Sequence, residues 1–437
     1  MVEKTKPRFF YGWIIVAVLA LSMMLAYATR SSFTVFYVAI LDEYGWTRAD
    51  TAGIFSLSLI VYGLGGILAG FLLDKVGPRK LFPIAATLIA LGVLWCSRAT
   101  QLWEFYVAFG IIVGFGQCSL GYVPTMTVVN HWFVKWRGLA AGIAMFGLSL
   151  SFALSPLTQY LRETVGWRTA FMIFAAAVFV IVVPMTSLLM RHRPQDMGLL
   201  PDGAEQEPES GPETRKEHDA SIVDREWVSV EWTLFQAFKT YRLWLLLAAG
   251  IVWGMVVNFP QVHQVAYITD IGYSPMFAAT AFSIFGILMG IGPLGGLLSD
   301  RIGRERSITL GATSTVIGVA LALSVRGTGM EWAWYVSSIS YGLGIGLIAP
   351  TLPAIYGELF AGKNLGSIIG FINAGFGVGG AIGPYVAGYI YDVTGGYTLA
   401  FVIMMAAAFI QTTLMWLVAP RKVRLTGGRM PEEPTIG

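Results

Sequence analysis

Charge is scarce in this 437-residue chain. Lys, Arg, Asp and Glu make up only 13% of it, against 55% hydrophobic residues, whereas a soluble domain carries about 25% charge. So few charges cannot cover a globule of this size with a water-compatible surface. A cytosolic enzyme, a nucleic-acid-binding protein and a disordered scaffold are therefore excluded. The net charge of +3 gives no reason to expect a nucleic-acid partner. Cysteine is nearly absent: Cys96 and Cys118 both fall in apolar stretches and offer neither a disulfide framework nor metal-ligand spacing. There is no P-loop, no G-x-S-x-G, no H-E-x-x-H and no Cys/His cluster. Direct ATP-driven work, hydrolytic chemistry, a metal and a cofactor are thus not expected.

What the chain has is apolar length. Mean hydropathy is +0.65, and about 20 mostly apolar residues suffice to cross a bilayer as a helix. Twelve runs qualify: 12–40, 48–73, 81–98, 102–130, 138–161, 168–190, 242–269, 276–299, 307–326, 331–357, 365–391 and 397–419. A polar break from 190 to 242 divides them six and six. The expected fold is an all-α membrane protein. Its parts are an N-terminal six-helix unit at 1–190, a linker at 191–241 and a C-terminal six-helix unit with a tail at 242–437. The first run is too long for a signal-peptide core and reads as a retained span. Within the linker, 201–220 lacks an apolar face and reads as solvated. Residues 226–240, with Trp227, Val230, Trp232, Leu234 and Phe235, are spaced for a short amphipathic helix on the membrane surface.

Basic residues set the orientation. With the N-terminus inside, 23 of the 29 Lys and Arg fall on the inner side, five on the outer side, and Arg30 lies within a span. Both termini are expected in the cytoplasm, and the chain in the cell (inner) membrane. Trp13, Trp46, Trp103, Trp132, Trp136, Trp167 and Trp332 sit near span ends, as an aromatic belt requires.

The chain also repeats itself. Gly70-x-x-x-Asp74-Lys75-x-Gly77-Pro78-Arg79-Lys80 follows span 2, and Gly296-x-x-x-Asp300-Arg301-x-Gly303-Arg304-x-Arg306 follows span 8, at an offset of 226. Gly138 and Gly142 echo Gly366 and Gly370 at 228. Gly166 and Phe171 echo Gly396 and Phe401 at 230. Ordered matches at nearly one offset indicate duplication of a six-span unit. Two such units place a binding cavity between them near the bilayer midplane. The glycines, acids and bases of the paired loops (Gly70, Asp74, Lys75, Gly77 and Arg79; Gly296, Asp300, Arg301, Gly303 and Arg304) read as a cytoplasmic gating motif.

These duplicated loops resemble the signature of the major facilitator superfamily, over all twelve spans. The resemblance implies two pseudo-symmetric six-helix bundles working by alternating access. Tyr11-Gly12-Trp13, Gly166-Trp167-Arg168 and Arg193-Pro194-Gln195-Asp196-Met197-Gly198-Leu199-Leu200-Pro201-Asp202-Gly203 resemble the prokaryotic monocarboxylate and oxalate/formate porter group. That group often carries a cation late in span 1, close to Arg30, and an arginine in span 8. Here span 8 has no basic residue.

Within the spans, Arg30 stands out. An arginine this deep costs about 2.5–3.5 kcal/mol on insertion scales, so it is expected to face a wet cavity, the alternative being snorkelling to the headgroups. Met23, Tyr27, Arg30 and Thr34 share one helical face, and a guanidinium fork suits a carboxylate. No Asp or Glu lies deep in any span. His263 is therefore the candidate for proton coupling, in a span made polar by Asn258, Pro260, Gln261 and Gln264. Substrate-binding candidates are Arg30, Tyr27, Gln117, Tyr122, Asn258, Tyr341 and Asn373. Gln117 has helix–helix bonding as its alternative role. The expectation is a monomeric, proton-coupled symporter of small organic anions, with lactate- or pyruvate-like monocarboxylates as cargo. A dicarboxylate- or formate-type exchanger, a drug exporter and a non-transporting membrane sensor are the alternatives.

Overall fold

The computed structural model describes residues 10–202, 222–360 and 364–424. Lys4, Lys6, Arg8, Lys363, the 203–221 part of the linker and the tail from 425 lie outside the described residues. Backbone polar groups have no water to bond in hydrocarbon, so apolar stretches of this length fold as helices. Chain order gives α1 Gly12–Tyr44, α2 Arg48–Val76, α3 Pro78–Cys96, α4 Leu102–Trp132, α5 Arg137–Val165 and α6 Trp167–Leu189. After the linker come α7 Tyr241–Asp270, α8, α9 Arg304–Ser324, α10 Glu331–Leu359, α11 Leu365–Thr394 and α12 Thr398–Val418. Eleven of these are long and apolar enough to cross a membrane. The twelfth crossing, α8, is in two pieces, Pro275–Met289 and Gly292–Ile302. It bends at Gly290, where a Cβ would lie 2.4 Å from the Cβ of Ser149 on α5. Pro293, at the start of the second piece, has no N–H to give the Met289 carbonyl four residues earlier, which is why the span expected to be continuous is not.

The linker departs further from expectation. In place of one amphipathic helix it forms two short turns, Arg225–Ser229 and Leu234–Ala237. Trp227 donates its indole N–H to the Leu359 carbonyl (2.7 Å), and Trp232 packs edge-on to Phe360. The tryptophans thus cover the end of α10.

Duplication is visible in the backbone. Gly77 (φ 74°, ψ 161°) and Gly303 (φ 96°, ψ 154°) each end one helix and start the next in the same left-handed conformation, which only glycine adopts without strain. The breaks of α4 at Leu120 and of α10 at Ala349 cap helical segments 229 residues apart. Two buried apolar clusters result. One gathers side chains of α1–α6 from Ile15 to Met190, the other side chains from Trp232 to Val423. A few residues cross over: Val262, Ala266, Ala279 and Ala381 pack with the first cluster, and Phe152 packs with the second. They mark where the halves touch.

Those contacts lie toward one end. α1 meets the second part of α7, α2 meets α11, and α5 meets the first part of α8. The α2–α11 crossing narrows at Gly63 and Gly377, where a Cβ on either glycine would come within 3.3 Å of the other's Cα. Beyond it, Gly66, Gly366 and Gly370 face open space, as does Gly138 on α5. Hence the halves are closed at the end bearing Arg48 and parted at the end bearing Asp74.

Candidate functional site

Arg30 lies between the halves, among Phe55 and Tyr62 of α2 and Asn258 of α7. It is only 7% exposed, which excludes snorkelling. Its guanidinium lies over the Phe55 ring (4.8 Å) and near the Tyr62 ring (5.8 Å), both on α2. Nη2 reaches Asn258 Oδ1 on α7 at 3.5 Å, and Nε has no partner. Among the described residues no carboxylate pairs with it. The Tyr27 hydroxyl donates to that of Tyr62 (3.1 Å), and the Tyr122 backbone N–H reaches the same oxygen (3.4 Å). Tyr62 thereby keeps its own hydrogen for an acceptor arriving from the cleft.

Why α7 breaks here can be read from Pro260. Proline has no N–H, so the Val256 carbonyl four residues earlier loses its helical donor. The Tyr341 hydroxyl supplies one across the bundle (2.7 Å). Gln261 Nε2 serves the Val257 carbonyl (3.2 Å) and touches Asn258 Oδ1 (3.3 Å), while Thr34 donates to the Gln261 carbonyl. Non-helical backbone at this depth survives because side chains satisfy it. Tyr341 thus spends its hydroxyl hydrogen on the break and has none left for a ligand.

The other expected residues fall in different places. Gln117 faces α1, bonding the Ala26 carbonyl (3.4 Å) and Thr29 (3.3 Å), with Oε1 unpartnered. Tyr122 is 43% exposed, with its side chain off the Arg30 cluster's hydrogen bonds. Asn373 is exposed four residues before Gly377, which puts it on the α11 face that crosses α2, below the crossing. Phe55 and Tyr62 were not singled out from sequence. Their signal was faint: the i, i+7 spacing of Phe55 and Tyr62 along one face of α2.

His263 is buried away from the cleft. Its Nε2 lies 2.7 Å from the Pro384 carbonyl, which only accepts, so Nε2 carries the hydrogen. Nδ1 then accepts from the Tyr397 hydroxyl (2.9 Å), whose oxygen accepts from Arg48 Nη1 (2.7 Å). Burial pushes the Tyr397 phenol upward, so it keeps the proton it donates. A directed chain runs Arg48 to Tyr397 to His263 to Pro384. Around it, Asp270 pairs with Arg48 (2.8 Å), Tyr391 stacks on the guanidinium (3.7 Å), and Asp392 accepts from the backbone N–H groups of Arg48 and Ala49. A carboxylate of one half thus caps a helix start of the other.

The two copies of the loop motif differ. In the second, Arg304 bonds Asp300 (2.6 Å), Glu358 (2.6 Å) and Ser299 (2.9 Å), all within its own half. In the first, Arg79 Nε donates to the Ser187 carbonyl (2.9 Å), and no ion pair forms to Asp74 among the described residues.

A family model described as the Major Facilitator Superfamily matches residues 19–355 and 291–435. The chain belongs to the major facilitator superfamily. Monocarboxylate transporter 13 of Rattus norvegicus is 30% identical over 414 residues, 94% of this chain and 89% of that protein. Monocarboxylate transporter 2 of Homo sapiens is 24% identical over 419 residues, 93% and 85% of the two chains. Among solved structures, a bacterial homolog of the human lysosomal transporter Spinster, inward-facing and unoccupied, superposes with a TM-score of 0.70 at 15% identity over 96% of this chain and 99% of that one. A nucleoside transporter does so with 0.66 at 15% identity, over 93% and 100%. These superpositions share the superfamily's fold. As a member of the superfamily, with monocarboxylate transporters as relatives, the chain is a multi-pass transporter and not an enzyme.

Proposed function

We propose that this transporter carries small monocarboxylates of the lactate and pyruvate type, together with a proton, by alternating access. The observation that carries the reading is Arg30: a buried guanidinium with no carboxylate partner among the described residues. A buried charge without a counter-ion is costly, and a carboxylate entering the cleft removes that cost. Its two oxygens would take the Arg30 fork and the spare hydrogen of Tyr62, with Asn258 and Gln261 alongside and Phe55 against the carbon chain. The names of the relatives point to the same class. A dicarboxylate would bring a second charge with no second cation: Pro275–Met289 carries none.

The moving bodies are then 1–190 and 242–437, joined by 191–241, with the Asp74 end in the cytoplasm, the chain monomeric and in the cell (inner) membrane. In that orientation the cleft opens inward. His263 is bonded at both ring nitrogens and has no site free for an incoming proton, and a carboxylate held by Arg30 stays ionised, so in this reading the proton crosses on neither group.

Counterflow in proteoliposomes tests the reading. Labelled lactate should exchange against unlabelled lactate and pyruvate and ignore a nucleoside or a lipophilic cation; competition by the cation alone would sink it. Lactate-driven lumen acidification should survive in His263→Gln, and its loss would return the proton to that imidazole. Tyr62→Phe should raise the KM for lactate about tenfold, the size of one hydrogen bond to a charged group, about 1.5 kcal/mol. An unchanged KM would remove Tyr62 from the site.

A further inference from the structure

The first copy of the duplicated loop walls a cavity of about 490 Å³ between the α2–α3 turn and the chain following α6. Four cations line it: Lys75, Arg79, Lys80 and Arg191. Two acids line it as well, Asp74 and Asp196. The Asp196 carboxylate accepts from the Arg193 backbone N–H (3.0 Å) and keeps its charge, so four cations face two carboxylates, and the two arginines donate only to backbone carbonyls at the end of α6. His192, also in the wall, has an Nε2 without a partner.

Duplication supplies the reference for judging this excess. At the offset of 226, Arg304 corresponds to Pro78 and Glu305 to Arg79. The second copy therefore holds an arginine that ties Asp300 to Glu358, and a glutamate that takes Arg421 (3.1 Å). In the first copy the tying arginine is a proline and the glutamate is a further cation. The same turn, with the same glycine conformation, has its acids tied to arginines in one half and, among the described residues, lacks those ties in the other.

The cavity also has an apolar neighbour. Leu188, whose carbonyl takes Arg191, is 65% exposed, and Ile84, one turn into α3 from Lys80, is 57% exposed. On a membrane protein these flank the hydrocarbon, while the cations sit at its edge. Basic pockets at that depth suit anionic headgroups.

We propose that this cavity binds the phosphate of an anionic phospholipid, with its acyl chains lying along Leu188 and Ile84. The phosphodiester fills the deficit that Pro78 and Arg79 create, and this site is independent of the transported substrate. The test uses the full chain purified in detergent, with retention of added phosphatidylglycerol, phosphatidylcholine and inorganic phosphate followed by native mass spectrometry and by Tm. Phosphatidylglycerol should be retained and raise Tm; phosphatidylcholine should not. Lys75→Gln/Lys80→Gln removes two exposed cations with no structural bonds and should weaken retention roughly 10- to 30-fold, at about tenfold or less per surface cation. Arg301→Gln/Arg306→Gln makes the same charge change in the second copy and should leave retention unchanged. Equal losses in both variants would reduce the effect to general surface charge and overturn the proposal. Equal retention of phosphatidylcholine would remove the anion, and equal protection by inorganic phosphate would remove the lipid. The lipid-free Tm of each variant separates misfolding from lost binding.

Discussion

Arg30→Gln abolishes lactate counterflow and leaves a folded protein. The guanidinium is buried, touches Asn258 at 3.5 Å, and has an unpartnered Nε. A carboxylate docked there would be desolvated on arrival, so truncating its partner costs about 2–5 kcal/mol, or roughly 30- to several-thousand-fold in affinity. Arg30→Lys keeps a charge but loses the planar fork, and should retain a fraction of the activity with a raised KM. Arg30→Met carries the opposite sign in a second measurement. Replacing a buried, unpaired charge with an apolar chain of similar volume is often stabilising, by about 1–4 kcal/mol, so the substrate-free Tm should rise while transport is lost. A fall in Tm with transport intact would make Arg30 a structural residue held by Phe55, Tyr62 and Asn258. The chain would remain a transporter, with its anion site elsewhere.

The fold was legible because hydropathy and charge act residue by residue. Twelve apolar runs and two copies of a glycine-and-charge loop suffice for two six-helix bundles, and Gly77 and Gly303 have the shared backbone conformation that their shared positions suggest. The proposed site was legible only where a residue is costly by itself. Arg30 announces itself in an apolar run. Tyr62 does not, since a tyrosine in α2 reads the same whether it faces a cleft or lipid. Tyr341 looked like a ligand because the orphaned carbonyl it serves belongs to Val256, 85 residues away. His263 looked like a proton carrier because Pro384 and Tyr397, which occupy both its nitrogens, come from a distant helix and loop. Pairing is thus the information a linear reading lacks. The two loops show the point most simply: both are rich in charge, yet only the one with Arg304 has its acids tied.

Arg48→Gln opens the end of the molecule that is now closed. One arginine on the first half gathers partners entirely from the second: Asp270, Tyr397 and the Tyr391 ring, while Asp392 caps the backbone beneath it. Its side chain is 16% exposed and that of Asp270 32%, so solvent and salt screen part of the attraction. The network still exceeds an isolated surface pair, and losing it should favour the alternative state by about 2–3 kcal/mol, a shift of roughly 30- to 150-fold in population. Ala52, wholly buried on the same α2 face, reports the change. In an Ala52→Cys protein lacking Cys96 and Cys118, a membrane-impermeant maleimide applied at the Arg48 end should label faster once Arg48→Gln is added. Arg48→Lys should fall between the two. His263→Gln should move labelling in the same direction by less, because His263 acts on Arg48 only by holding Tyr397. If labelling stays flat in Arg48→Gln while lactate counterflow falls, the cluster is not a gate and Arg48 acts on the substrate's path. If both stay flat, the halves are held by the apolar crossing of Gly63 on Gly377 and the charges contribute nothing to the choice of state.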